Sequence, residues 1–156
     1  MTSISYDEIY SSFFARVKAY KLAQMPQDYI TELSISWLHS ISAQPFIRRL
    51  FSSFKYDDEV QVISFEMKYP AEEDYDRDFI IDIFSLGMVI KWIEPKVNND
   101  LVMTSFYGSK SEKWYSEANM LNALQGVLTT AKNEQRNLIR DRVYFNNQFI
   151  SKQGGA

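Results

Sequence analysis

The most apolar segment of this chain runs from Tyr75 to Ile93 and reads YDRDFIIDIFSLGMVIKWI. A segment this apolar is typical of a helix buried at the centre of a small domain. Acids within residues 72–78 supply a cap and favourable charge for its first turn. Glu94 and Pro95 are predicted to end the helix, because the residue before a proline is disfavoured in the helical conformation. Gly87 indicates close packing of another helix, since glycine inside a helix costs about 1 kcal/mol relative to alanine.

Helical periodicity predicts further helices on both sides of this segment. Ser5-Tyr-Asp-Glu8 reads as a capping box that starts a first helix ending near Tyr20. Pro26 suits the opening turn of a second helix, and Pro45 either ends that helix or opens a short third one. A long last helix from about Trp114 carries one stripe facing the core. The stripe consists of Leu121, Leu124, Leu128, Ala131, Gln135 and Leu138.

Residues 60–69 change period and predict a strand. Ile63, Phe65, Met67 and Tyr69 alternate with polar residues, which is typical of a strand with one apolar face. A single strand leaves its backbone unpaired, so it needs a partner. That partner is either the nearby segment Phe54-Lys55-Tyr56 or a strand of another subunit.

These patterns together predict a mainly α fold. We expect a bundle of about four to five helices with a small β element at about residues 60–69 and an extended C-terminal arm. Residues 1–142 are predicted to form the helical domain, with the β insertion near 55–70, and residues 143–156 the arm.

Bulk composition indicates a folded, soluble protein. The chain has 156 residues, 46% of them hydrophobic and 15% aromatic, which is well above the level of a disordered chain. It contains no cysteine, which excludes disulfides and thiolate metal sites. The absence of cysteine fits a protein of a reducing compartment. The N-terminus is acidic where a secretory signal is basic, and the longest apolar run, Phe79 to Ile93, is too short to span a bilayer. We expect no membrane association.

The charge is distributed unevenly along the chain. A net charge of −3 argues against a dedicated nucleic-acid binder. Acids crowd residues 57–82, whereas the chain is basic from Lys110 onward. These are either two solvated faces of a monomer or complementary patches that bring identical subunits together head to tail. The candidate acidic surface, facing a lumen or a neighbouring subunit, consists of Asp57, Asp58, Glu59, Glu72, Glu73 and Asp74.

Nothing in the sequence predicts catalysis. The single histidine, His39, has no second histidine or cysteine to join it as a metal ligand, so we interpret it as structural, near a helix end. The acidic run at 72–78 lacks the pattern of a calcium loop, and no strained serine turn or glycine-rich phosphate loop is present. We predict a protein that is not an enzyme, with no catalytic, metal-binding or cofactor-binding residues.

Two segments are predicted to contact partners. Residues 98–111 show no period and are predicted to form a loop that carries apolar side chains, which is typical of a functional loop. The bases and aromatics of Lys110-Ser-Glu-Lys-Trp-Tyr115 either pack at the helix start or hold single-stranded nucleic acid. The loop candidates are Met103, Phe106, Tyr107, Lys110, Trp114 and Tyr115.

The second segment is the basic, aromatic end of the chain. Apolar side chains on a terminal arm usually bind a neighbouring protein. Arginines here interact favourably with the helix dipole and also offer forked donors to an acidic partner. The candidate docking residues are Arg140, Arg142, Tyr144, Phe145 and Phe149.

Several segments, taken in order along most of the chain, resemble the head–tail connector or adaptor proteins of tailed bacteriophages. They include Ile4-Ser-Tyr-Asp-Glu-Ile-Tyr10, Trp37-Leu-His-Ser40, Arg48-Arg-Leu-Phe-Ser-Ser53, Asp57-Asp-Glu-Val60 and Ser64-Phe-Glu-Met-Lys-Tyr69. They continue with Leu86-Gly-Met-Val-Ile-Lys-Trp-Ile-Glu-Pro95, Glu112-Lys-Trp-Tyr-Ser-Glu-Ala-Asn119 and Leu138-Ile-Arg-Asp-Arg-Val-Tyr-Phe-Asn-Asn147.

The resemblance implies a helical virion subunit that forms a homo-oligomeric ring in the phage neck, after assembly in the host cytoplasm. It implies that the C-terminal arm docks onto the portal protein and that the loop meets a downstream stopper or tail protein. DNA then passes through the ring without sequence-specific binding, and an acidic lumen would let it slide. The predicted strand departs from the purely helical adaptors, which leaves a stopper or tail-completion role open. The residues are also compatible with a nucleic-acid-handling accessory protein or a monomeric binder of a host protein.

Overall fold

The computed structural model describes residues 1–19, 27–106 and 112–145, with side chains over 1–19, 33–98, 119 and 121–143. Within these ranges a small antiparallel sheet packs beside five helices, so the predicted mainly α class with a small β element is confirmed. In chain order the elements are β1 (Thr2–Ser5), α1 (Tyr6–Ala19), α2 (Gln27–Ala43), α3 (Pro45–Arg48), β2 (Phe51–Asp57), β3 (Val62–Met67), α4 (Glu73–Phe106) and α5 (Glu112–Phe145). No helix in the described ranges is long and apolar enough to cross a membrane.

Helix α4 is the centre of the core, as its composition predicts. It packs against α1, α2, α5 and strand β1. Side chains on several of its faces are completely buried, among them Ile80, Ile83 and Met88. The ring of Phe84 stacks on Phe54 of the sheet at a centroid distance of 6.0 Å. The helix is therefore enclosed by the other elements, and its apolar faces drive their assembly.

The prediction that this helix ends at Glu94 and Pro95 is wrong, because α4 continues through Pro95 to Phe106. Pro95 is exposed, so its ring faces solvent and not a packed neighbour. Val97 beyond it is only 6% exposed, so core packing continues past the proline. The burial of side chains beyond Pro95 stabilises a helix that the local preference of proline would end.

The predicted loop at 98–111 is consequently helical as far as Phe106. Met103 and Phe106 belong to the last turns of α4, and Trp114 and Tyr115 to the first turns of α5. The side chains of these residues lie outside the described part of the structure, as do Tyr107 and Lys110 altogether.

The predicted strand, β3, pairs with two segments of the same chain. Strand β3 lies in the middle, antiparallel to β2 on one side and to β1 on the other. The segment Phe54-Lys55-Tyr56 is therefore its partner, with Tyr56 opposite Ile63. Strand β1 is a second partner that was not predicted, because four residues are too few to show a period. The apolar face of β3 is buried as predicted, although the strand ends before Tyr69.

The capping box predicted at the start of the first helix is confirmed, whereas Pro26 lies outside the described residues. The Glu8 amide donates to Ser5 Oγ at 3.4 Å, and Glu8 Oε2 accepts the Ser5 amide at 2.9 Å, which is the reciprocal pair of a capping box. Pro45 occupies the opening turn of the short helix α3, so of the two predicted roles it takes the second.

We expect Gly87→Ala to destabilise the protein by about 1–3 kcal/mol. A Cβ atom at position 87 would lie 2.8 Å from Cδ1 of Ile41, whose side chain is buried and has little room to move. Gly126→Ala is the matched control in α5, where nothing lies within 4 Å of the new atom. It is expected to stabilise the protein by up to about 1 kcal/mol. Urea denaturation measures both values, and equal effects of the two substitutions would contradict the close contact.

Candidate functional site at the base of the C-terminal arm

The end of helix α5 is fixed to the domain by a buried arginine. The side chain of Arg142 is 3% exposed, and its Nη2 donates to Oδ1 of Asp76 at 2.5 Å and to the Tyr69 carbonyl at 3.0 Å. Its guanidinium also lies over the ring of Phe79, at 4.6 Å from the centroid. A guanidinium removed from water needs such a charged partner and an aromatic face. We call the pair Arg142–Asp76 the arm clamp.

Asp76 joins three segments in this clamp. It lies in the first turn of α4, and its carboxylate accepts the backbone amide of Ala71 at 3.1 Å as well as the arginine of α5. Its side chain is 6% exposed. Among the acids of residues 72–78, sequence alone offers no means of selecting the one that faces inward.

The structure revises the predicted docking residues. Arg142 is committed to the interior of its own chain, so its side chain does not belong to an exposed docking surface. The side chain of Arg140 is 73% exposed and remains a candidate. Tyr144 and Phe145 end helix α5, but their side chains lie outside the described residues, as does Phe149.

Exposed apolar side chains surround the arm clamp. Three of these side chains, Tyr69, Tyr75 and Val143, are each 50% exposed. The Tyr69 carbonyl accepts a hydrogen bond from Arg142, the Tyr75 ring lies beneath its guanidinium, and Val143 is the next residue in the chain. We call these three residues the arm-base surface. Exposed aromatic groups are common in protein interfaces. None of the three was predicted, although tyrosines beside an acidic run are a recognisable signal of exposed apolar groups.

The six acids predicted as one surface form two groups. Asp57, Asp58 and Glu59 lie at the turn between β2 and β3, whereas Glu72, Glu73 and Asp74 lie at the start of α4. All six are exposed. Strand β3 separates the groups by about 20 Å, at about 3.3 Å per residue. Only the second group adjoins the arm-base surface.

The two long helices are antiparallel, which places the end of α4 and the start of α5 far from the arm clamp. Gln135 of α5 donates to the carbonyl of Ile83 at 3.0 Å, and Lys132 lies 2.9 Å from Glu94 further along α4. The arm clamp is thus at one end of the helix pair, and Phe106 of α4 and Glu112 of α5 are at the other. The 34 residues of α4 correspond to about 50 Å of helix at about 1.5 Å per residue.

A second polar cluster holds the turn between β2 and β3 against the helices. Asp58 accepts the hydroxyl of Tyr6 from α1, and Nε2 of His39 from α2 lies 3.0 Å from its Oδ2. The His39 ring stacks on Tyr56 at 3.9 Å. The structural interpretation of His39 is consistent with this geometry, although its partner is a carboxylate distant in sequence.

Burial and charge fix the protonation states in this cluster. Hydrogen bonds from Tyr6 and then His39 lower the pKa of Asp58, so it is a carboxylate at neutral pH. Burial, reinforced by that carboxylate, raises the pKa of Tyr6, and burial is also the main cause that raises the pKa of Tyr56. Both hydroxyls therefore remain donors, and Tyr56 donates to the Leu38 carbonyl at 2.9 Å. The cluster therefore ties the turn between β2 and β3 to helices α1 and α2.

Among the described residues, no group of three or more histidine, aspartate or glutamate side chains is arranged to hold a metal ion. No family model, curated protein sequence or solved structure matches this chain.

We expect Asp76→Asn to lower the free energy of unfolding by about 3 kcal/mol, because it leaves Arg142 buried without a charge partner. Asp74→Asn is the matched control in the same turn, where the carboxylate is exposed. Its loss should be below about 1 kcal/mol. Urea denaturation measures both, and a loss no larger at position 76 than at 74 would show that the clamp does not stabilise the domain.

The stability that Asp58 contributes to the fold is expected to decrease at acid pH. Its folded pKa lies below the ordinary value of 3.8, so the contribution is complete above that value and disappears as the pH falls through the lowered pKa. Because the side chain is 45% exposed, Asp58→Asn should cost no more than about 1 kcal/mol at neutral pH. Denaturation at a series of pH values should show that cost shrinking in acid, whereas the control Glu59→Gln, at an exposed side chain of the same turn, should cost less than Asp58→Asn at neutral pH. A cost for Asp58→Asn that is constant with pH would refute this account.

Proposed function

We propose that this chain is a structural subunit of the neck of a tailed bacteriophage. It is a head–tail connector that assembles as a homo-oligomeric ring between the portal protein and a stopper or tail protein. DNA passes through the ring without sequence-specific binding. The subunit acts by joining partners and not by catalysis.

The first support is the set of sequence segments that resemble this family, which extend over most of the chain. A mainly α fold is what the resemblance implies. Strand β3 is the element that departs from a purely helical adaptor. It lies between β1 and β2 of the same chain, so its backbone needs no strand from a neighbouring subunit.

The strongest support is the separation of the two candidate contact regions. The arm base lies at one end of the antiparallel helix pair, and the last residue of α4 and the first residue of α5 lie at the other, about 50 Å of helix away. A connector has to bind one partner above and another below. Two contact regions at opposite ends of the helix pair would meet that requirement, whereas adjacent regions would not.

The arm-base surface supplies the portal-side contact in this proposal. Tyr69, Tyr75 and Val143 present apolar area to solvent, and the arm clamp holds the helix end beside them. Residues 144–156 follow directly from this point. A partner that binds the arm therefore meets a preformed surface at its base, which reduces the entropy lost on docking.

The purified chain is expected to bind the portal ring of the same virus, and Val143→Asp is expected to weaken that binding. The new charge would have to lose its water when the half-exposed apolar surface docks, which costs free energy. We therefore expect the affinity for the portal ring to fall tenfold or more, which corresponds to about 1.4 kcal/mol. The measurement is the mass and affinity of the complex with the portal ring. Val60→Asp is the matched control, since Val60 is 65% exposed at the far end of the sheet.

Equal portal binding by the Val143 and Val60 variants would show that the arm base does not take part in the contact with the portal. A wild-type chain that ignores the portal and binds single-stranded DNA with strong salt dependence would replace the connector by a nucleic-acid-handling role. Circular dichroism on both variants separates loss of binding from loss of fold.

A further inference from the structure

One donor group of the Arg142 guanidinium has no acceptor among the described residues. Its Nη2 donates to Asp76 and to the Tyr69 carbonyl, whereas its Nη1 is buried and has no hydrogen-bond partner in the described part of the chain. A buried donor without an acceptor costs free energy, and native proteins rarely retain one. The acceptor for Nη1 is therefore expected to come from a group outside the described residues.

The arm-base surface beside this donor is also incompletely covered. The Tyr75 ring lies 5.4 Å from the guanidinium carbon of Arg142, and it is half-exposed, as are Tyr69 and Val143. An apolar group that covered these side chains would remove their area from water, which is favourable. The surface thus lacks both a hydrogen-bond acceptor and an apolar cover.

The charges around the surface decide what kind of acceptor fits. The exposed acids at the start of α4 are Glu72, Glu73 and Asp74. The bases beside the surface are Lys68 and Arg140, and the charge of Arg140 is offset by Asp141 at 3.6 Å. Asp76 already neutralises Arg142. A carboxylate or phosphate would therefore be repelled, so the fitting acceptor is a neutral carbonyl and any charge that accompanies it is positive.

The segment that follows α5 in the sequence has this chemistry. Residues 146–152 read Asn-Asn-Gln-Phe-Ile-Ser-Lys and lie outside the described part of the structure. The three amide side chains offer neutral carbonyl acceptors, and Phe149 and Ile150 offer apolar area. Lys152 is the only charged side chain in residues 146–156. Asparagine is also favoured just after a helix and in turns, where the chain reverses direction.

The end of α5 places this segment within reach of the surface. Arg142 lies three residues before Phe145, the last residue of the helix, which is about 4.5 Å of helical rise. The next four residues, to Phe149, extend the chain by up to about 14 Å. A segment tethered so closely acts at an effective concentration on the order of millimolar. It therefore has an advantage over the same segment of another copy.

We propose that in the free subunit residues 146–152 fold back over the arm-base surface of the same copy. A neutral carbonyl of the segment accepts from Nη1 of Arg142, and Phe149 and Ile150 cover the half-exposed side chains. Lys152 approaches the acids at the start of α4. When the portal binds the arm, it displaces this segment and uncovers the surface in the same step, a second part of the proposal that rests on the proposed function.

The fold-back is tested with pairs of engineered cysteines, which have no competitors because the chain contains no cysteine. Tyr75→Cys combined with Phe149→Cys should form a disulfide within one copy under mild oxidation. Arg140→Cys combined with Phe149→Cys is the matched control, because position 140 is exposed and lies about 200° around α5 from Arg142. A segment that does not bind the surface reaches both positions at similar rates. A folded-back segment should cross-link to position 75 faster by on the order of tenfold.

A second pair of cysteines keeps the test valid if the first pair weakens the contact by removing two rings. Tyr69→Cys combined with Ile150→Cys leaves Tyr75 and Phe149 in place and should also cross-link faster than the control pair. Rates equal to the control for both pairs would overturn the fold-back. Disulfides that join two copies would overturn the assignment of the segment to its own subunit.

The displacement is tested with the Y75C/F149C variant, whose disulfide holds the segment on the surface. The oxidised protein should bind the portal ring more weakly than the same protein after reduction, by on the order of tenfold. Equal portal binding before and after reduction would overturn the displacement. A wild-type chain that ignores the portal would contradict the proposed function instead, while the cross-linking rates still decide the fold-back.

Discussion

Burial of helix α4 governs how every other element is arranged. Its apolar side chains point in too many directions for a surface helix, so α1, α2, α5 and the sheet must enclose it. The close approach of Ile41 to Gly87 shows how little space remains between α2 and α4. That enclosure also carries α4 past Pro95, because Val97 continues the packed face beyond the proline.

Two arginines fix the polar side of the same arrangement. Arg16 of α1 reaches Asp82 of α4 at 2.9 Å and Glu134 of α5 at 3.1 Å, so a single side chain joins three helices. Arg142 joins the end of α5 to the start of α4 through Asp76. Apolar burial is not directional, whereas these bonds are, and they set the relative position of helices that burial alone would allow to slide.

The surfaces left outside this framework are the ones with candidate roles. The arm-base surface lies where the start of α4 is fixed to the end of α5, and the end of α4 and the start of α5 are at the other end of the pair.

Local sequence signals were sufficient to predict the fold class, the capping box at Ser5, the buried strand β3, the close contact at Gly87 and the central place of α4. Each depends on periodicity or on residues close in sequence. Long-range packing was needed to establish that α4 passes Pro95, that Asp76 turns inward to Arg142, and that Asp58 meets Tyr6 and His39. These outcomes depend on partners far apart in the chain, and burial between such partners outweighs the local preferences that a sequence displays.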